Sequence, residues 1–295
     1  MKRGRRFILW KESKRMPIKI YRPVTKGRRN SSVQDFSDIT RSEPEKSLIH
    51  AKMERAGRTN NGRITVRHRG AGVKKYIREI DFRREKYDIP AKVVTIEYDP
   101  NRGARIALLN YADGEKRYMI APQDVKVGDA IVSTLDKKIE VVPGNRMPLE
   151  ILPVGVFVHS VELQPGKGGQ MGHGAGASIQ VMAIEGKHAT LKLPSGEIRM
   201  VPKGCSATVG TVSNPDWRLI RWGKAGRMRY RGIRPTVRGK VMNPVDHPHG
   251  GGEGKNPIGL KRPKTPWGKP ALGVKTRNRK HHSNALIIQR RKSKR

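Results

Sequence analysis

Between about residue 90 and residue 213, apolar and polar side chains alternate with a period of two. That is the spacing of a strand with one buried face. The pattern predicts strands over Val93–Tyr98, Arg105–Asn110, Lys116–Ile120, Ala130–Ser133, Val154–Leu163, Ile179–Ile184, Thr190–Leu193, Ile198–Val201 and Ala207–Val212. Turn formers separate them: Asp-Pro-Asn-Arg-Gly at 99–103, Asp-Gly at 113–114, Val-Gly-Asp at 127–129, Pro-Gly-Asn at 143–145 and Ser-Gly at 195–196. Long helical periodicity is absent. Short strands at this spacing predict small barrels rather than a parallel sheet.

The middle also carries a weak internal echo. Ile96-Glu…Ala104-Arg-Ile-Ala-Leu-Leu-Asn…Gly114-Glu-Lys-Arg-Tyr-Met is similar to Ile184-Glu…Ala189-Thr-Leu-Lys-Leu-Pro…Gly196-Glu-Ile-Arg-Met. Two consecutive barrels joined near Pro143 to Pro148 would produce it. Hairpin chemistry common to unrelated strands would also produce it.

Composition limits the size of any core. Apolar residues make up 35% of the 295 and aromatics 5%, enough for two small cores and too little for one large one. Charge then divides the chain. The total is +38, yet residues 90–213 carry 14 basic and 12 acidic side chains. Residues 1–89 carry 26 basic against 10 acidic, and residues 221–295 carry 22 against two. A nearly neutral middle thus sits between two cationic ends. Self-repulsion of that size opposes compaction unless a polyanion neutralises it. Nucleic acid is the commonest such partner, and an anionic membrane is the rival. The ends are more than solvated tails, because Trp217, Trp222, Tyr230, Trp267 and the run Ala285 to Ile288 punctuate the charge.

No run approaches the roughly 18 apolar residues that span a bilayer. The longest, Ile151 to Leu163, contains His159 and Glu162 and reads as strand. One cysteine, Cys205, excludes an internal disulfide and a cysteine-cage zinc site, so a reducing compartment is permitted. The basic opening MKRGRRFILWKESKR is too short in apolar residues for a signal peptide. An organelle presequence and a start at Met16 both stay open.

Four motifs carry candidate chemistry. In Asn60-Asn-Gly-Arg-Ile-Thr-Val-Arg-His-Arg-Gly-Ala-Gly72, Arg63, Arg67 and Arg69 lie at even spacings, on one side of an extended segment. Guanidinium forks match phosphate oxygens, and Lys74, Lys75, Arg78, Arg83 and Arg84 follow. Gly166 to Gly176 (GKGGQMGHGAG) lacks the Gly-Lys-Ser/Thr of a phosphate loop and the helix of a dinucleotide site. Its glycines permit close approach to a nucleotide, with Lys167 and His173 as polar groups; a mobile hairpin tip is the competing reading. Gly223 to Gly239 interleaves Lys224, Arg227, Arg229, Arg231, Arg234 and Arg238 with Tyr230, which suits stacking on unpaired bases as well as phosphate pairing.

The fourth motif, VMNPVDHPHGGGEG at 241–254, imitates an active site. Asp246, His247, His249 and Glu253 could ligate a metal, but Pro244 and Pro248 stiffen the chain between them, and one short loop rarely closes a cage. A nucleophile and an apolar cleft are both missing nearby. A rigid loop threaded into RNA is the preferred reading. A hydrolase or transferase built on His247, and a membrane-surface protein built on the basic ends, are the rivals.

These residues carry a resemblance. VMNPVDHPHGGGEG, with GKAGRMRYRGIRPTVRG before it and TPWG (265–268) after it, is similar to the large-subunit ribosomal proteins of the universal L-two family. NNGRITVRHRG, EYDPNRGARIAL, DGEKRY and PGKGGQ match that family in the same order, from about Pro17 onward, closest to its bacterial and organellar branch. The resemblance implies a mainly β fold: an OB-like barrel followed by an SH3-like barrel, with long basic irregular N- and C-terminal extensions. The expected divisions are a basic extension over 1–72, the OB-like barrel over 73–142, the SH3-like barrel over 143–213, and a Gly/Pro-rich extension threaded into rRNA over 214–295.

The implied function is that of a structural, non-catalytic protein of the large subunit. It would bind large-subunit rRNA and neighbouring ribosomal proteins, touch the small subunit at the interface, and support the peptidyl-transferase region. The implied place is the ribosome of a bacterial cytoplasm or of an organelle matrix or stroma, with no membrane partner. No cofactor is expected beyond structural Mg2+ associated with the rRNA. The expected RNA-binding residues are Arg63, Arg67, Arg69, Lys74, Lys75, Arg83, Arg84, Arg102, Lys167, His173, Lys224, Arg227, Arg229, Arg231, Arg234, Arg238, His247, His249, Lys255 and Trp267. Arg102 stands where the resemblance implies a core rRNA contact. His247 corresponds to the family histidine discussed in connection with peptidyl transfer and is read as support, since RNA performs that reaction. Where bacterial relatives commonly read Leu-Ala-Arg-x-Ala-Gly, this chain has Met171-Gly-His-Gly-Ala-Gly176, so His173 replaces an RNA-contacting arginine.

Overall fold

The structure, a computed structural model, describes residues 18–291. The expected role-free stretch before Met16 lies outside the described residues. The chain divides into two units: one drawn from the described parts of Met1–Lys52, Lys74–Ala225 and Leu286–Arg295, the other from Met53–Val73 and Gly226–Ala285.

The first unit is mainly β, an OB-like barrel followed by an SH3-like barrel, with largely irregular extensions. Its N-terminal part contributes two short antiparallel pairs, β1 (Ile18–Ile20) with β2 (Ser32–Gln34) and β3 (Ile49–Ala51) with β4 (Tyr76–Arg78). The OB-like sheet runs β7-β6-β5-β8, from β5 (Ala91–Tyr98), β6 (Arg105–Tyr111), β7 (Lys116–Ile120) and β8 (Ala130–Ile131). The second sheet runs β15-β13-β12-β11-β10-β14-β9. Its strands are β9 (Arg146–Pro148), β10 (Phe157–His159), β11 (Ile179–Glu185), β12 (His188–Lys192), β13 (Ile198–Pro202), β14 (Ser206–Val209) and β15 (Ile287–Gln289).

The internal echo is a shared supersecondary unit. β5–β6–β7 and β11–β12–β13 are both three-stranded antiparallel meanders. Each first strand carries a register shift, between Val93 and Thr95 and between Val181 and Ala183. Such a shift bends a strand, which a small barrel needs in order to close. The Gly-Glu turns also agree: Tyr111 N donates to Glu115 O and Leu193 N to Glu197 O, with Gly114 and Gly196 both at positive φ.

Strand β6 is buried on both faces. Ala107, Leu109 and Tyr111 face a core with Ala91, Val93, Met119 and Ile131. Ile106 and Leu108 join Tyr118 in a second cluster, covered by Leu48 and Ile80 from the N-terminal segments. That explains its near-continuous apolar run; each aliphatic side chain so covered stabilises the fold by about 1.5–3 kcal/mol. The SH3-like core centres on Met147, Leu149, Val158, Val161, Ile179, Val181, Leu191 and Ala207, with Cys205 among them. Burial pushes the Cys205 thiol up to about 12, so no thiolate forms near neutral pH.

Buried ion pairs pin the irregular segments to the sheets. The Arg105 guanidinium, nearly inaccessible, donates to both carboxylate oxygens of Asp38 at 2.7 and 2.9 Å and to Asp35 O at 3.1 Å. Arg146 donates to Glu162 at 2.7 Å, and Glu162 also accepts from the backbone N–H groups of Gly166, Gly168 and Ser206. One carboxylate therefore holds the glycine-rich loop against the barrel.

The expected Val154–Leu163 strand shortens to Phe157–His159. Gly155 at φ +91° turns the chain before it, and Ser160 at φ +49° breaks it afterwards. The end of the Pro143–Pro148 region, read as a joint, forms β9, the first strand of the second sheet. Ala285 to Ile288, read as an anchor in the C-terminal extension, leads into β15 on the edge of β13.

Candidate nucleic-acid interface

The basic motifs fall into two groups, one on each unit. In the second unit, NNGRITVRHRGAG pairs by backbone with the segment that follows the short helix α2 (Ala225–Tyr230). Gly70 N donates to Gly232 O at 2.8 Å, Arg234 N to His68 O at 3.0 Å, and Val73 N to Tyr230 O at 2.9 Å. Two cationic segments about 160 positions apart are thereby laid side by side. Glycine makes the approach possible. A Cβ on Gly72 (φ +70°) would lie 2.6 Å from Tyr230 O, and one on Gly232 would lie 2.7 Å from Gly70 O.

Of the expected residues, Arg63, Arg67 and Arg69 are exposed on the first of these segments, and Arg229, Arg231, Arg234 and Arg238 are exposed on the second. Arg227 is half-buried within α2. The Arg67 guanidinium lies 5.6 Å from the centroid of the exposed Trp267 ring. Lys255 is exposed in the loop after the glycine run. Arg58 was not among the expected residues, yet it lines one groove with Arg67, Arg69 and Arg234. Its signal lay in Ala-Gly-Arg-Thr-Asn-Asn-Gly, a turn-rich lead into the basic run.

The His-Pro-His loop is a self-closed turn. His247 is buried, and a Cβ on Gly239 would lie 2.4 Å from its Nδ1. That Nδ1 accepts from His249 N at 3.0 Å, and His249 Nε2 accepts from Lys264 N at 2.8 Å. Both imidazoles thus act as acceptors for backbone donors that the loop would otherwise leave unpaired. Among the described residues, no three His, Cys, Asp or Glu side chains are gathered to hold a metal ion.

On the first unit, Lys74 lies 6.0 Å from the Tyr76 ring centroid, and Lys75 O accepts from Lys52 N at the foot of the β3–β4 pair. Arg83 is exposed and pairs with Glu85 at 3.2 Å. Lys167 donates to Gln164 at 3.2 Å from the glycine-rich loop, and the exposed Lys224 packs its stem on Gly27. Arg102 Nε donates to the buried Asp99 at 2.6 Å, which closes the Asp-Pro-Asn-Arg-Gly hairpin and leaves the guanidinium partly exposed.

His173 is half-buried. Its ring stacks on Phe82 with centroids 4.7 Å apart, and its Nε2 lies 3.3 Å from Ser160 Oγ. Burial, then the nearby Arg102 charge, hold its pKa below the ordinary histidine value. Arg84 departs from expectation. Only 4% of it is exposed, and Nη1 donates to Gly144 O at 2.7 Å. Desolvation lowers its pKa to about 10. As folded it braces the barrel from within and presents no charge to a ligand. Arg105 and Arg146 are likewise structural cations inside the formal charge count.

Two small barrels in one unit and exposed, carboxylate-poor basic segments in the other define a β-barrel protein suited to a polyanionic partner. Residues 45–133 match the family model for Ribosomal Proteins L2, RNA binding N-terminal domain, and residues 142–268 match that for Ribosomal Proteins L2, C-terminal domain. The chain belongs to the ribosomal protein L2 family, and is an RNA-binding protein of the large ribosomal subunit. Among the described residues, no helix is long and apolar enough to cross a membrane.

Proposed function

We propose that this chain is a structural, non-catalytic constituent of a bacterial or organellar large subunit. It binds large-subunit rRNA, supports association with the small subunit, and supports the architecture around the peptidyl-transferase region. Neighbouring ribosomal proteins share its surface, and Mg2+ accompanies the rRNA it contacts. The divisions near residues 72, 142 and 213 separate the extensions from the barrels in this reading.

The observation that carries it is the backbone pairing of two arginine-rich segments in the second unit. The pairing gathers Arg67, Arg69 and Arg234 along one groove that no carboxylate lines. Guanidinium groups so arranged suit crowded phosphates. Lys74, Lys75, Arg83, Arg102, Lys167 and Lys224 add cations on the first unit, with His173 as a polar group beside them. His247 serves the reading as the residue that closes its loop, since its Nδ1 is already engaged by His249 N.

Co-sedimentation tests the reading. The full chain should travel with large subunits and be released by RNase. Arg238→Ala removes charge at an exposed site and should weaken rRNA binding with the circular dichroism of the barrels unchanged. Arg102→Ala should weaken binding and also loosen the hairpin, because the buried Asp99 carboxylate loses its guanidinium partner. Sedimentation with subunits that survives RNase, together with full affinity in both variants, would overturn it.

A further inference from the structure

Deepening the RNA-binding reading, and resting on it, we propose that the groove in the second unit receives one unpaired RNA nucleotide, its base on the aliphatic lining and its phosphates on the surrounding arginines. The groove has a volume of about 570 Å³, within the range of small-ligand sites. Its aliphatic lining includes Ile64 and Val66, both about half exposed. Its cations are Arg58, Arg67, Arg69 and Arg234, and the lining contains no carboxylate.

Duplex phosphates alone need only cations at the surface. A concave site lined by both aliphatic side chains and guanidinium groups suits a flat ring attached to an anion. Single-stranded or extruded nucleotides have that shape, and RNA recognition commonly takes them out of the stack. Aliphatic contact covers one face of a base, while arginine planes stack or pair with phosphate.

The walls are held in place. The Gly70–Gly232 and Arg234–His68 backbone bonds fix one side against the other. His68, also lining the groove, sits at φ +61°, a conformation that costs a non-glycine residue energy and that its carbonyl bond from Arg234 N helps to maintain. Thr65 and Val66 N both donate to Gly57 O, which fixes the segment that carries Ile64 and Val66. The site is therefore built before a ligand enters, which lowers the cost of binding.

The test compares two probes on the full chain at one ionic strength: a short single-stranded RNA oligonucleotide, and the same backbone with abasic residues. Fluorescence anisotropy gives the affinities, and 2-aminopurine in the first probe reports burial of a base. The base-bearing probe should bind on the order of tenfold more tightly, with a changed 2-aminopurine signal. The paired substitution Ile64→Ser and Val66→Ser keeps every charge and should remove most of that preference, leaving affinity for the abasic probe unchanged. Equal affinity for both probes in the wild-type chain would overturn the proposal while leaving RNA binding intact. Failure to bind either probe or the large subunit would overturn the RNA-binding reading itself. Should the double variant misfold, Ile64→Ala alone tests the aliphatic lining, with circular dichroism as the control.

Discussion

The barrels and the second unit solve opposite problems. The barrels hide charge: Arg105, Arg146, Arg84 and Glu162 are all buried, each held by bonds inside the fold. The second unit displays charge, and among the described residues it holds none of the buried apolar clusters that the barrels contain. Its order comes from backbone pairing at glycines and from histidine acceptors. Removing an atom from the first should cost stability, whereas adding one to the second should cost binding.

Salt breaks the comparison most widely. Each phosphate neutralised by the second unit releases counterions, so rRNA affinity should fall about 10³- to 10⁵-fold between about 50 and 200 mM salt. The thermal stability of the barrels should barely move over the same range. Filter binding and calorimetry run side by side measure both, and a flat affinity curve would contradict the electrostatic account.

Glu162→Ala attacks the barrel side. It strands the buried Arg146 and three backbone donors, and should cost about 3–5 kcal/mol in denaturant unfolding. A cost below about 1 kcal/mol would mean that water reaches the pair.

Acid should act on the same barrel through His159, which is nearly inaccessible and whose Nδ1 lies 2.9 Å from Gly210 O. Burial lowers its pKa to about 4 from the ordinary 6.5. The unfolded chain therefore binds the proton first, so stability is full above about pH 6.5 and declines as pH falls toward 4. Up to about 3 kcal/mol is lost across that window and no more below it. His159→Gln should flatten the pH dependence of unfolding over this interval.

Gly72→Val probes the second unit most gently. A side chain there meets Tyr230 O and forces strain at φ +70°, costing about 1–3 kcal/mol of local pairing. Proteolysis within residues 53–73 should quicken and rRNA affinity should drop, with the unfolding midpoint of the barrels unchanged. A shifted midpoint would mean that the two regions fold as one.

The alternation of apolar residues was enough to place most of the strands, because a half-buried strand writes its two faces directly into the chain at a period of two. Strand β9 escaped it because three residues are too few to show a period, and β15 because Ile287 and Ile288 sit among charges. The Pro and Gly punctuation likewise marked the loops, and the charge division marked which segments would face a polyanion. What the chain order alone did not determine is which cations are available. Arg84 and Arg83 are neighbours, yet one is sealed inside and the other is exposed. Nor did it determine that the 60–72 and 228–234 segments would meet, since contact between distant residues depends on the path of everything between them. Local propensity is a property of neighbours in sequence; burial, and therefore the meaning of a charge, is a property of neighbours in space.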